Sequence, residues 1–360
     1  MSARAVVAGL QERIRAAAAA KTPLAIRGGG SKEFYGGPIA GEALDISGWA
    51  GVVDYDPTEL VITVRAGTRL AEVERVLREA GQMLACEPPH FGATATIGGC
   101  VAAGLSGPRR PFGAALRDIV LGVRILDGTG ESLAFGGRVM KNVAGFDVAR
   151  LMTGALGTLG VLTEVSLKCV PLPKAETTCI IGCSADEALA RVNEWGGKPL
   201  PLSATCYHAG TLAVRLSGAV PAVAAAAAKL GGTLEPNGDA LWAGVREHTH
   251  SFFATARDAN APLWRLSVGS TAPHADLGGE QLIEWGGALR WLVAGERADP
   301  ARLRAWAHEN GGHATLFRAA DKTAGVFHPL AEALAGLHRR LKATFDPAGI
   351  LNPGRLYPEL

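Results

Sequence analysis

Apolar and polar residues alternate along this chain in two different rhythms. Within residues 69–80, Leu70, Val73, Val76 and Leu77 recur at helical spacing, and Gly81 stands where such a helix stops. LVITVRAG (60–67), DIVLGVRILD (118–127), ESLAFG (131–136) and LGVLTEVSLKCV (159–170) are short β-branched runs instead, and each reads as a strand. The second and third of these flank Gly128-Thr129-Gly130, which predicts a β-hairpin. PLAIR (23–27), ALDIS and VVDYD add further strand-like runs to the first half.

The rhythm changes after PLPKAETT (171–178), whose two prolines mark a boundary. Beyond it, ETTCIIGC, PLSATCYH and TLAVRLSG read as strands, while DEALARVNEW and VPAVAAAAAKL read as helices. Helical stretches run into Gly196-Gly197, Gly231-Gly232 and Gly311-Gly312, and a β-like run follows each pair. The pattern predicts an α+β fold with an antiparallel sheet carrying helices on one face in the second half. A last helix over 328–345 precedes the turn-rich tail DPAGILNPGRLYPEL. The expected organisation is a first domain over 1–172, a smaller α+β domain over 173–330, and a helix and tail over 331–360 that return to the first domain.

Composition sharpens this picture in one respect. Glycine contributes 47 of 360 residues, about twice the usual share, without a collagen period. So much glycine serves tight turns or brings backbone close to a ligand. With 36 basic and 34 acidic side chains the formal charge is +2, which offers nucleic acid no electrostatic footprint. Arg4, Glu12, Arg13 and Arg15 break up the opening helix, so it does not read as a secretory signal, and no run of about 18 apolar residues predicts a membrane span. The expected location is cytoplasmic. The six cysteines, Cys86, Cys100, Cys169, Cys179, Cys183 and Cys206, lack cluster or zinc spacing and read as buried thiols.

Three segments carry candidate chemistry. Arg27-Gly28-Gly29-Gly30-Ser31 follows a strand, and three bare glycines let amides converge on an anion; a flexible turn is the alternative. Neither a dinucleotide G-x-G-x-x-G helix start nor a Walker A loop fits it. Residues 93–107, with Thr94, Thr96, Gly98, Gly99 and Gly104, are almost all small; a flat ligand or tight helix–sheet packing would each explain them. Thr96 is placed to cap a short helix whose amides face phosphate. The third runs from Lys141 to Asp147 and through Gly154, Gly157 and Gly160 into a strand. Lys141 reads as a cation beside a cofactor or a surface charge, and Asp147 as a helix cap. Together the three segments point to an elongated phosphate-bearing cofactor.

RGGGS, ATIGGCVAAGLSGPRRPFG, the block from Arg117 to Lys168 and the tail FDPAGILNPGRLYP resemble the FAD-binding subunits of bacterial glycolate oxidases, within the vanillyl-alcohol oxidase/p-cresol methylhydroxylase group of flavoproteins. The resemblance is dense over residues 22–172, thin through the middle, and returns in the tail. It implies a first domain of two α+β halves that clamp FAD between them. It matches Arg27, Gly28, Gly29, Gly30 and Ser31 to the pyrophosphate loop, Thr96, Gly98, Gly99 and Gly104 to a second flavin segment, and Gly157, Gly160 and Val161 to a third. Relatives with covalent flavin carry His just after the glycine loop. Ser31 stands there, so the expected FAD is noncovalent.

The resemblance further implies oxidation of glycolate to glyoxylate within an assembly. A sister FAD-linked subunit would hold the hydroxyacid site, an iron–sulfur subunit would take the electrons, and those partners would supply any contact with the inner membrane. No His-rich metal motif is found: His248 and His250 are spaced H-x-H without an acidic partner, and His274, His308, His313 and His328 stand alone. No catalytic residue is assigned. Arg109 and Arg110, in SGPRRP, would steer an acid, dock a partner, or form a solvated turn. The competing readings are a stand-alone FAD-dependent 2-hydroxyacid oxidoreductase and a redox-silent scaffold that keeps the flavin fold.

Overall fold

A computed structural model describes residues 3–137 and 147–360. The opening helix, Ala3–Ala20, buries Leu10, Ile14 and Ala17 at helical spacing in a core shared by the whole first half. Strand Leu24–Arg27 pairs in parallel with Glu42–Asp45. A five-stranded antiparallel sheet follows, ordered Val52–Asp56, Val61–Arg65, Val161–Lys168, Val120–Leu126 and Ser132–Gly136. Its central strands are buried on both faces, which explains their near-continuous Val, Ile and Leu. The last two strands form the expected hairpin, with Asp127 Oδ1 accepting from the amides of Thr129 and Glu131 to close the turn. Helix Leu70–Glu79 buries Leu70, Val73 and Leu77 and gives way to Gly81 at φ +71°.

The second sheet has eight strands, ordered Thr233–Leu234, Ala175–Gly182, Thr211–Gly218, Leu202–His208, Gly279–Glu284, Leu289–Ala294, Leu263–Ser267 and His313–Arg318, and every pairing is antiparallel. Helices Ala185–Gly196, Val220–Leu230 and Pro300–Glu309 cover one face with Leu189, Val192, Val223, Ala226, Leu303 and Ala307. The opposite face is covered too, which departs from the one-sided arrangement expected. Helices Gly238–Glu247 and Ser251–Asp258 bring Trp242, Val245, Phe252 and Phe253 onto it. Tyr35, Ala103, Leu105 and Leu156 of the first half join the same cluster.

The carboxyl end crosses back to the amino-terminal strands. Leu24 N–H donates to Ile350 O at 2.7 Å, and Asn352 N–H donates to Leu24 O at 3.0 Å. Helix Glu332–Phe345 is anchored by a buried pair, Lys342 Nζ to Asp346 Oδ2 at 2.7 Å. Among the described residues, no helix is long and apolar enough to cross a membrane.

Candidate functional site

Strand Leu24–Arg27 delivers the glycine loop to the edge of a cavity of about 420 Å³, within the usual size of a cofactor or ligand pocket. Arg27, Gly28, Gly29, Gly30, Ser31, Thr96, Gly98, Gly99, Gly157 and Gly160 all line it. Three segments far apart in the chain therefore meet at one cleft. Gly104 and Val161 are not among the residues lining it: Gly104 ends helix Ile97–Ala103 in the left-handed conformation, and Val161 is fully buried at the start of its strand. Lys141 lies outside the described residues. Asp147 caps helix Val148–Met152, accepting from Arg150 N–H at 3.1 Å.

The glycines have two separable jobs. At Gly28 a Cβ would lie 2.5 Å from Thr96 Oγ1, and at Gly29 it would lie 1.5 Å from Thr94 O. The loop is therefore glycine because it presses against the segment 94–99; Thr94 Oγ1 donates to Gly29 O at 2.5 Å and ties the two together. Gly98 is pinned by Ala66, and Gly157 by the Asn352 amide, 2.8 Å from where its Cβ would stand. Packing, not a ligand, forbids side chains at these positions.

The ligand signal is the polar balance of the loop. Among the described residues, the amides of Gly28, Gly29, Gly30 and Ser31 donate to no protein acceptor. Four consecutive free N–H groups at a half-buried cleft make an anion nest. The helix that Thr96 caps does not add to it. Ile97 N–H goes to Thr68 O, Gly98 N–H to Ala66 O and Gly99 N–H to Thr96 Oγ1. Its first amides are thus consumed inside the protein, contrary to the expectation that they face phosphate.

Two cavity residues of the tail, Asn352 and Arg355, were absent from the residues expected at the site. Asn352 Oδ1 accepts from Ile26 N–H at 2.7 Å, and its Nδ2 donates to Leu156 O at 2.6 Å. One side chain thereby fixes the strand before the glycine loop to the turn before Gly157. The Arg355 guanidinium donates to the carbonyls of Tyr35 and Gly37, just beyond the loop. The signal that could have found them is the polar pair in Asn352-Pro353-Gly354-Arg355, otherwise a plain turn.

A second cavity, about 440 Å³, lies between helix Leu70–Glu79 and the second sheet and is lined by charges. Arg109 Nε reaches Glu87 at 3.1 Å and Nη2 reaches Glu176 at 2.6 Å; Arg215 Nη2 reaches Glu87 at 2.8 Å. Burial pushes the Glu87 carboxyl up, but Arg215 and Arg109 outweigh it and hold it below its ordinary range. Arg109 is therefore an internal ion-pair partner, whereas Arg110 stacks over Trp285 at 4.4 Å.

Residues 6–136 match the model of an FAD binding domain, and residues 321–356 that of the C-terminal domain of FAD linked oxidases. Over 351 residues, 98% of this chain and 97% of the relative, the sequence is 49% identical to glycolate oxidase subunit GlcE of Escherichia coli (strain K12). The chain belongs to the GlcE family. This GlcE-family chain is an FAD-dependent oxidoreductase subunit, and the free amides of its glycine loop suit the dinucleotide's pyrophosphate. Glycolate oxidase subunit GlcD of Bacillus subtilis (strain 168) is 31% identical over 129 residues, 36% of this chain and 27% of that one. The fold of the GlcE-family chain is that of alkyldihydroxyacetonephosphate synthase, with a TM-score of 0.64 at 16% identity over 96% of this chain and 74% of the other.

Glu284 shows how the second sheet's inner face responds to burial. It is 4% exposed and accepts from Trp291 Nε1 at 2.7 Å, and burial pushes its carboxyl up to about 7. A raised folded pKa means that folding takes up a proton. The contribution is full below the unfolded value near 4.5 and is lost as pH rises through about 7. Unfolding free energy should fall over that window by on the order of 3 kcal/mol more in the native sequence than in Glu284→Gln, as urea titrations at pH 5 and pH 8 will measure. Parallel pH profiles for the two would contradict this.

Proposed function

We propose that this chain is the FAD-binding subunit of a glycolate (2-hydroxyacid) oxidase complex, with the cofactor held noncovalently in the 420 Å³ cleft. The single observation that carries this reading is the run of four unbonded amides from Gly28 to Ser31 opening on that cleft. Residues 1–172, completed by the tail, form the cofactor domain. Arg27 and the glycine loop take the pyrophosphate; Thr96, Gly98, Gly99, Gly157 and Gly160 shape the remaining wall. Bound there, FAD supplies a two-electron acceptor that can pass electrons on singly. This chain's part is to bind and orient it and to keep water from one side with Ala102, Ala103, Leu156 and Leu162.

Relatives of this chain are named as separate subunits of glycolate oxidase, which supports a multi-subunit assembly. The proposed partners are a sister FAD-linked subunit that oxidises the acid and an iron–sulfur subunit that carries the electrons away. Co-expression with the two candidate partners should give one co-purifying complex that oxidises glycolate with an artificial acceptor, while this chain alone is inactive. Full glycolate turnover by the isolated chain would establish the stand-alone oxidoreductase instead. A complex that stays equally active after this chain's flavin is removed would establish the scaffold.

A further inference from the structure

The stretch after the glycine loop, residues 32–37, belongs to neither sheet nor helix. Its own backbone supplies two turn bonds, Glu33 N–H to Gly30 O at 3.2 Å and Tyr35 N–H to Lys32 O at 3.1 Å. The first begins in the glycine loop, so whatever fixes residues 33–37 also fixes the end of the row of free amides. Five successive carbonyls of this stretch are held by two cationic side chains in alternation. Arg355 donates to the odd-numbered ones, those of Glu33, Tyr35 and Gly37. Lys322 Nζ donates to the even-numbered ones, Phe34 O at 2.6 Å and Gly36 O at 2.8 Å. The path needs glycine twice: Gly36 has φ +94°, and a Cβ on Gly37 would lie 2.2 Å from Gly354 O.

The two cations reach the stretch from different parts of the molecule. Arg355 belongs to the tail that pairs with Leu24, whereas Lys322 follows His313–Arg318, the edge strand of the eight-stranded sheet. The backbone around Lys322 is tied down. Asp321 Oδ1 accepts from Thr323 N–H at 2.8 Å, Gly325 N–H donates to Lys322 O at 2.9 Å, and Leu316 N–H donates to Val326 O at 2.8 Å. From helix Pro300–Glu309, Arg304 Nη2 donates to Gly325 O at 2.7 Å. Among the described residues neither Lys322 nor Arg355 has an ion pair, and Glu33, the carboxylate that acts on Arg355, is bonded to Arg27. Carbonyl dipoles therefore answer two neighbouring charges that are largely withdrawn from water. Hydrogen bonds from a charged donor are stronger than neutral ones, so the stretch is held where these donors place it.

We propose that Lys322 is a positioning residue for the cofactor: anchored beside the second sheet, it holds residues 33–37 so that the amides of Gly28, Gly29, Gly30 and Ser31 converge. Lys322 is not among the residues lining the cleft, so it acts through that stretch and not by contact. FAD affinity is then set in part from the second sheet, and by linkage bound FAD steadies the turn that carries Lys322. This role rests on the function proposed above, with FAD as the ligand of the cleft.

The test titrates the flavin-stripped chain with FAD, followed by flavin fluorescence, in native and variant forms. Lys322→Met keeps the side chain's length but removes its charge and donors. It should raise the FAD dissociation constant by roughly tenfold or more, through two lost charge-assisted hydrogen bonds. Lys322→Arg should recover most of the loss, because a guanidinium can again donate to both carbonyls. Lys229→Met removes the same charge from an exposed helix position and should leave the constant unchanged. A lysine that only stabilised the fold would shift urea unfolding of the stripped proteins without changing the affinity of the folded ones. Hydrogen exchange of the native chain supplies a reading that needs no variant: FAD should slow exchange in residues 319–327 as well as in 28–37. If Lys322→Met does not fold, that exchange result decides. Equal FAD constants in native and Lys322→Met proteins, no recovery by arginine, or exchange in 319–327 indifferent to FAD would overturn the role. A native chain that binds no FAD would overturn the proposed function itself, which keeps the two failures distinct.

Discussion

Gly29→Ala should lower FAD affinity by roughly a hundredfold or more, which corresponds to about 2.7 kcal/mol. The added Cβ would lie 1.5 Å from Thr94 O and 2.4 Å from its carbon, both backbone atoms that cannot rotate away. The loop and the segment 94–99 must separate, and the four free amides then no longer converge. Overpacking of this kind usually costs about 1–3 kcal/mol, here concentrated on the cleft's geometry. Gly9→Ala is the internal control, because nothing lies within 4 Å of a Cβ there and the residue sits inside the first helix. It should leave FAD affinity unchanged and stabilise the fold by about 0.5–1 kcal/mol. Titration of flavin-stripped protein with FAD, followed by flavin fluorescence, measures both.

The second large effect is expected at the tail. Asp346 is 1% exposed and accepts from Lys342 Nζ at 2.7 Å, Ile350 N–H at 3.1 Å and Leu351 N–H at 2.7 Å. Lys342 Nζ also donates to Thr158 O and Leu351 O. Asp346→Ala leaves a buried ammonium without its counter-ion and two amides without acceptors. The expected loss is about 3–5 kcal/mol of unfolding free energy. Because Asn352 and Arg355 follow directly, flavin retention should fall with it. Lys342→Met combined with Asp346→Leu removes both charges and should recover a good part of the stability. Urea unfolding of the two variants beside the native protein measures this; equal destabilisation of single and double variants would contradict it.

The local patterns read well from sequence because they are short-range. Leu70, Val73 and Leu77 define their own helix face, and Gly128-Thr129-Gly130 defines its own hairpin. The glycine segments were legible as places of close backbone approach, but sequence could not separate packing, which keeps Gly28, Gly29, Gly98 and Gly157 bare, from ligand contact. What sequence concealed depends on distance along the chain. The Asn352 side chain meets Ile26 across 326 residues, so nothing local marks it as part of the cofactor cleft. The order of the eight-stranded sheet likewise follows from long-range pairing. Helices Gly238–Glu247 and Ser251–Asp258 flank an H-x-H pair that draws attention to metal chemistry, whereas His248 is a ring stacked in an aromatic core. Glu284 is unusual only because folding buries it. Arg109 and Arg110 look equivalent in sequence, yet one is locked between two carboxylates and the other rests on an indole.

The central claim is that the glycine loop's amides hold one FAD in this chain. The direct measurement is the absorption spectrum of the purified protein, followed by acid release and quantification of the chromophore in native and Gly29→Ala forms. The account predicts a flavin band at about 450 nm, close to one releasable FAD per native chain, and little in the variant. A native protein that stays colourless with excess FAD, or a variant that retains as much FAD as the native chain, would contradict it.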